Sequence, residues 1–187
     1  MSTTRLDTNT ALVVIDLQKG IVALPTAYPI APVIARTREL LDAFRSRGLP
    51  VVLVNVAGVA PGRTEQPPRT AQLPAHWAEL VPELNRQPND HTVTKKTWGA
   101  FTGTDLHAYL QSAGVTQIVL TGVATSIGVE STARQAHELG YNVTLAVDAM
   151  TDLNAHAHTN SVERLFPRLG ETGSTQEILT LLDRRGA

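Results

Sequence analysis

The sequence predicts an α/β fold: a parallel sheet covered by helices on both faces. Three observations carry that reading. Apolar runs rich in β-branched residues recur along the 187 residues, and they alternate with stretches of helical periodicity. The runs are continuously apolar, as in strands buried on both faces, instead of alternating as in a sheet wetted on one side. Strands separated by helices imply βαβ crossovers, which put consecutive strands parallel and cover the sheet on both sides. No internal repeat, linker or low-complexity segment divides residues 1–187, so one compact domain is expected, large enough to bury a full core.

The elements follow in order. Ala11-Leu12-Val13-Val14-Ile15 reads as a buried strand ending at Asp16. Val33 to Arg47 carries Ile34, Leu40, Leu41 and Phe44 at helical spacing, and Gly48 stops it. Val51 to Val56 is a second strand. Gly58 to Pro74 holds four prolines and two glycines, the composition of a surface loop or lid. A short helix is expected over Trp77 to Leu84, a third strand over Thr92 to Lys95, and a helix from Asp105 to Ser112 that ends near Gly114. Gln117 to Thr121 is a strand, and Gly128 to Leu139 is a helix closed by Gly140. Asn142 to Val147 is a strand with Asp148 at its end. His156 to Phe166 reads as helical, an edge strand lies near Leu169 to Thr172, and Thr175 to Arg184 is the last helix.

Bulk composition removes several function classes. A net charge of −1 without basic blocks or acidic tails gives no electrostatic case for nucleic acid or a membrane surface. The first seven residues have no apolar core of a signal peptide, and no apolar run approaches the ~20 residues that span a bilayer. A cytoplasmic location is expected. The chain has no cysteine, which excludes disulfides, zinc–thiolate sites and thiol catalysis.

Ligands of open α/β sheets bind beyond the carboxyl ends of the strands, at a topological switch point. Three polar features stand at such ends: Asp16, Lys95-Lys96, and the turn from Thr121 to Gly128. A carboxylate after five apolar residues calls for a partner, and a lysine from another strand end is the natural one. Spacing alone leaves two readings open, an ion pair tying strand ends together or a catalytic acid with its partner.

Three motifs narrow this. Val14-Ile15-Asp16-Leu17-Gln18 resembles the first motif of the isochorismatase-like family of cysteine hydrolases. Lys96-Thr97-Trp98-Gly99-Ala100-Phe101, followed by Gly103-Thr104-Asp105-Leu106, is similar to its second. Gly122-Val123-Ala124-Thr125 with Val129-Glu130-Ser131-Thr132-Ala133-Arg134 resembles its third. The motifs fall in the family's order and the resemblance covers most of the chain. It implies a three-layer α/β/α arrangement on a six-stranded parallel sheet of Rossmann-like topology, with Asp16 as catalytic acid/base and Lys96 completing the site. It also implies a cis peptide at Val123-Ala124, backbone N–H groups of the turn serving as an oxyanion hole, and assembly as a homodimer or homotetramer.

The position of the family's nucleophilic cysteine is here Gly128. Glycine offers no nucleophile, and Thr125, Ser126 and Ser131 would point away from residue 128. Metal ligands of nicotinamidase-like relatives would fall at Val56-Ala57-Gly58-Val59, which has no Asp or His. His156-Ala157-His158 has the wrong spacing for a ligand pair and reads as surface polarity. Neither metal nor cofactor is implied. True isochorismatases resemble this chain in carrying glycine there. They cleave a vinyl ether by acid catalysis, a reaction that needs no covalent step. Asp16 would supply the proton, Lys96 would hold the substrate carboxylate or orient Asp16, and Gly128 would leave room for ring or water. Two departures loosen the substrate: the family's Gln and Tyr align to Ala57 and Ala124.

Ala124, Thr125, Trp98 and Phe101 are the candidate substrate-binding residues; packing at a helix start is the alternative for Trp98 and Phe101. Arg63 and Arg69 could clamp a carboxylate or be solvated loop charges. Glu130 and Arg134 fit an i, i+4 ion pair, and Asp148 and Asp152 fit caps of the segments that follow them. The expectation is a hydrolase of a small carboxylated substrate, a vinyl ether among the candidates, acting through Asp16 without a thiol. Its alternatives are a catalytically inactive fold kept for binding, and a non-thiol amidohydrolase.

Overall fold

The computed structural model describes residues 3–65 and 73–184. Strands β1 (Thr10–Ile15), β2 (Val51–Val56), β3 (His91–Lys95), β4 (Gln117–Val123), β5 (Asn142–Thr151) and β6 (Glu171–Gly173) pair in the order β3-β2-β1-β4-β5-β6. Every pairing is parallel, as the apolar runs predict. The central strands β1 and β4 are buried at every residue, which is why their sequences show no polar alternation.

Helices α1 (Lys19–Val22), α2 (Ile30–Ser46), α3 (Leu106–Ser112), α4 (Glu130–Glu138), α5 (Ala155–Asn160), α6 (Phe166–Leu169) and α7 (Thr175–Arg184) connect or flank the strands. In α2 the buried residues are Val33, Thr37, Leu40, Leu41 and Phe44, a single stripe at helical spacing. Gly48 ends this segment at φ +63°, where a side chain would be strained. One core, against α3 and α4, contains Val13, Ile15, Val52, Val54 and Leu120. The other, against α2 and α7, contains Leu12, Val14, Leu53, Val119 and Leu41. Side chains that alternate along each strand therefore feed two separate hydrophobic layers.

Two expected elements differ. Trp77 to Leu84 is not a helix: only Pro82–Leu84 forms a 3-10 turn. The segment before it runs antiparallel to the loop after β1. Lys19 N donates to Glu79 O at 2.8 Å, Gly20 N to Trp77 O at 3.0 Å and Val81 N to Leu17 O at 3.1 Å. Its carbonyls are thus taken by a distant partner, and Pro82 has no N–H to continue a helix. Strand β5 also runs past Asp148 to Thr151. Leu120 faces Leu145 but Gly122 faces Met150, so a two-residue step on β4 matches a five-residue step on β5. Asp148 lies in this bulge, where its Oδ1 accepts from Thr175 N at 2.7 Å at the start of α7.

Among the described residues no helix is long and apolar enough to cross a membrane.

Candidate active site

The chain runs from β1 outward to β3, then returns to place β4 on the other side of β1. The switch point lies between β1 and β4, and Asp16 and the Gly122–Val129 turn meet there. Gly122 permits that meeting. It pairs with Ile15, its φ is +118°, and a Cβ on it would fall 2.0 Å from Ile15 O. No other residue fits so close to β1.

Asp16 leaves the strand at φ +51°, a conformation that L-residues with side chains adopt infrequently. Its N–H still donates to Val54 O at 2.9 Å, so the backbone departs from β1 while anchored to β2. The side chain is buried, and Lys95 Nζ donates to its Oδ2 at 2.7 Å. Lys95 is also buried, and its remaining donors go to Trp98 O at 2.9 Å and Thr97 O at 3.2 Å. All three ammonium protons are used. Asp16 is different: its Oδ1 is buried and has no hydrogen-bond partner among the described residues. Burial raises its carboxyl from 3.8 to about 6, against the pull of Lys95 in the other direction.

The lysine that meets Asp16 is therefore Lys95, not Lys96 as expected. Lys96 is exposed, its stem lying against Gly58. The reason is the two-residue period of a strand. Val93 points into the α3–α4 layer, so Lys95 points to the same face and Lys96 to the opposite one. Counting parity from Val93 would have chosen Lys95.

After β4 the Val123-Ala124 peptide is cis, at the place the resemblance implied. Thr125–Val129 then forms one π turn, closed by Val129 N donating to Ala124 O at 3.2 Å. Gly128 is buried beside Asp16. A Cβ there would lie 3.1 Å from Asp16 Oδ2 and 2.9 Å from Ile15 Cγ2. The position expected to face the acid does face it, and a glycine lets the turn pack this close to Ile15 and Asp16.

Three residues that sequence reading did not place in the site hold this turn. Asp152 Oδ2 accepts from Ser126 N at 2.6 Å, while its Oδ1 accepts from Asn154 N at 3.0 Å. Asp152 thus caps the segment that follows it and grips the turn as well. His158 Nδ1 and Thr125 Oγ1 share a hydrogen bond of 2.8 Å, and the imidazole packs edge-on against Tyr28 at 5.1 Å. His158 is accordingly not surface polarity; burial holds its pKa below the ordinary value against the opposing effect of Asp152. Thr132 Oγ1 donates to Gly128 O at 2.7 Å and accepts from Ala100 N at 3.1 Å, tying the turn to the loop that follows Lys95. A polar residue one turn along α4 was the available signal for Thr132; nothing local marked His158.

The candidate substrate-binding residues separate. Ala124 is buried at the start of the turn, and Thr125 is fully buried with its hydroxyl committed to His158. Trp98 contributes its carbonyl to Lys95 while its side chain is 63% exposed. Phe101 does not wall the site. It stacks on Tyr141 at 6.0 Å and packs against the α3–α4 core, the packing alternative. Glu130 and Arg134 form their i, i+4 pair at 3.0 Å. Arg63 is exposed, and Arg69 lies outside the described residues. Among the described residues no group of three or more His, Cys, Asp or Glu side chains could hold a metal ion.

Comparison with known proteins matches nearly the whole chain. A family model described as the isochorismatase domain matches residues 10–177. The chain is a member of the isochorismatase family. It is 42% identical over 187 residues to the uncharacterized isochorismatase family protein YwoC of Bacillus subtilis, covering 96% of this chain and 97% of that protein. To the uncharacterized family protein YecD of Escherichia coli O157:H7 it is 41% identical over 182 residues, covering 92% and 96%. The structure of an isochorismatase family protein from Burkholderia thailandensis superposes with a TM-score of 0.91 at 44% identity, covering 96% of this chain and 98% of that one. The fold is thus the isochorismatase-like α/β fold, and the family is one of hydrolases.

Proposed function

We propose that this isochorismatase-family hydrolase acts on a small carboxylated substrate bearing a vinyl ether, with Asp16 as general acid and no covalent intermediate. The observation that carries the reading is the half-satisfied carboxyl of Asp16. Its Oδ2 is held by Lys95, its Oδ1 is buried without a partner, and its pKa of about 6 keeps a share of molecules protonated near neutrality. At pH 7 that share is about a tenth, enough for acid catalysis. Gly128 supports the same reading, because the turn packs directly against Ile15 and Asp16 and puts no nucleophilic side chain beside the acid.

In this reaction the Asp16 carboxyl proton goes to the terminal vinyl carbon, leaving an oxocarbenium ion. Water adds to the cationic carbon, and the resulting hemiketal breaks its ether C–O bond to release an alcohol and a 2-oxo acid. The proton lost by water restores Asp16. Lys95 fixes the carboxyl through Oδ2, leaving Oδ1 as the oxygen that faces the reacting carbon. The missing cysteine is no obstacle, since no acyl group is ever held.

The test is turnover of isochorismate and simpler enol-pyruvyl ethers by the purified protein, followed by release of the 2-oxo acid. Activity is expected, falling as pH rises above about 6, and Asp16→Asn is expected to abolish it. A folded protein that binds these ethers without turning them over would mark a fold kept for binding. Dependence on Ser126 instead of Asp16 would mark a non-thiol amidohydrolase.

A further inference from the structure

The face of the sheet covered by α2 carries a second polar feature, close to the β2–β3 edge. Leu53 belongs to the core on that face, and alternation puts Asn55 on the same side. Thr92 pairs with Leu53 and so stands diagonal to Asn55 across the two strands. Asn55 Nδ2 donates to Ala78 O at 2.6 Å, but Asn55 Oδ1 is buried without a partner, and so is Thr92 Oγ1. Both residues are half-buried, and two neighbouring polar atoms without a partner among the described residues call for something to meet them.

Both residues line a hollow of about 520 Å³, within the roughly 300–1,000 Å³ of small-molecule sites. Ala78, Leu80 and Pro82 supply apolar wall, and Arg86 stands at the exposed margin. Arg86 has no ion pair or hydrogen bond among the described residues, whereas Glu79, the other charge on the wall, is held by Lys19 and His76. The uncompensated charge of the hollow is therefore positive. Asp16, Lys95 and Gly128 are not among its lining residues.

The geometry points to a second small-molecule site in this hollow, for a carboxylic acid with an apolar body and a hydroxyl or amino group. The carboxylate pairs with Arg86, the body lies along Ala78, Leu80 and Pro82, and the hydroxyl or amino hydrogen is accepted by Asn55 Oδ1. The Thr92 hydroxyl completes the polar end as donor or acceptor. This site is separate from the one built on Asp16 and stands or falls independently of it.

4-Hydroxyphenylacetate carries all three features and serves as the probe, in a titration of the full chain followed by amide and side-chain NMR. Saturable shifts are expected at the Asn55 side-chain amide and at Thr92. Arg86→Ala and Thr92→Val should each weaken binding about tenfold, and Asp16→Asn should leave the affinity unchanged. Arg86 is exposed, so its replacement leaves the fold intact as an internal check. Absence of saturable shifts at Asn55 and Thr92 would mean that the hollow holds only water, and the proposal fails. It fails equally if binding survives both replacements or disappears in Asp16→Asn.

Discussion

Among the described residues two buried carboxylates sit on lysine or arginine partners, and they are finished differently. Asp90 takes a fork from Arg45, with Nε at 3.1 Å from Oδ1 and a terminal nitrogen at 2.6 Å from Oδ2, and Oδ2 also accepts from Gln87 N at 2.7 Å. Both of its oxygens are occupied. Asp16 takes Lys95 on Oδ2 alone, and its Oδ1 is left buried and empty-handed. One pair closes a strand-edge corner between α2 and the start of β3. The other stands at the switch point with bonding capacity unspent. Burial of charge is common to both pairs; what differs is whether both carboxylate oxygens are met.

Four experiments press on that contrast. The largest expected effect is on turnover: Asp16→Asn should lower kcat/KM for an enol-pyruvyl ether by about 10²- to 10⁴-fold. Circular dichroism should remain that of the folded protein. Comparable turnover by both proteins would remove Asp16 from the chemistry. Arg45→Met should do the reverse, destabilising the fold by about 3–5 kcal/mol through the uncompensated Asp90 charge. Turnover per folded molecule should stay the same. Urea unfolding reads this, and a loss of less than about 1 kcal/mol would show Asp90 to be no more committed than Asp16.

A pH series separates the two carboxylates further. Folded Asp16 holds its proton to about pH 6, whereas the unfolded chain releases it near 3.8. Its contribution to stability is therefore complete below about pH 3.8 and is lost as pH rises through 6, on the order of 3 kcal/mol in all. Unfolding free energies of the wild-type protein and Asp16→Asn should diverge across that window, and parallel curves would show the carboxyl to be unperturbed. The smallest effect is expected at the neighbouring lysine. Lys96→Met should change stability by less than about 0.5 kcal/mol and leave turnover intact, while Lys95→Met removes turnover. Equal losses in both would restore Lys96 to the site.

The positions of all six strands, the parallel sheet and the place of Asp16 at a strand end were legible in the sequence, because each depends on local pattern. Continuous apolar runs mark strands buried on two faces, and a polar residue directly after such a run marks a strand end. The resemblance added the cis turn at Val123-Ala124 and the place of Gly128 opposite the acid. The choice between Lys95 and Lys96 was lost by one residue, and in a strand one residue is the difference between two faces. The Trp77–Leu84 segment was misread for another reason: its backbone partners are Leu17, Lys19 and Gly20, some sixty residues away.

What the sequence by itself determined, then, is the set of groups that can act: an aspartate, a lysine pair, a turn with no thiol. What only the tertiary structure decided is which of their hydrogen bonds remain unmade. Asp16 Oδ1 is open because Lys95 spends its other protons on Thr97 and Trp98. The Gly128 turn keeps its shape because Asp152, His158 and Thr132 hold it from β5, α5 and α4. Asp152 and His158 stand far along the chain from the turn they hold, so satisfaction of a polar group is a property of the packed molecule and cannot be read from any one stretch of its sequence.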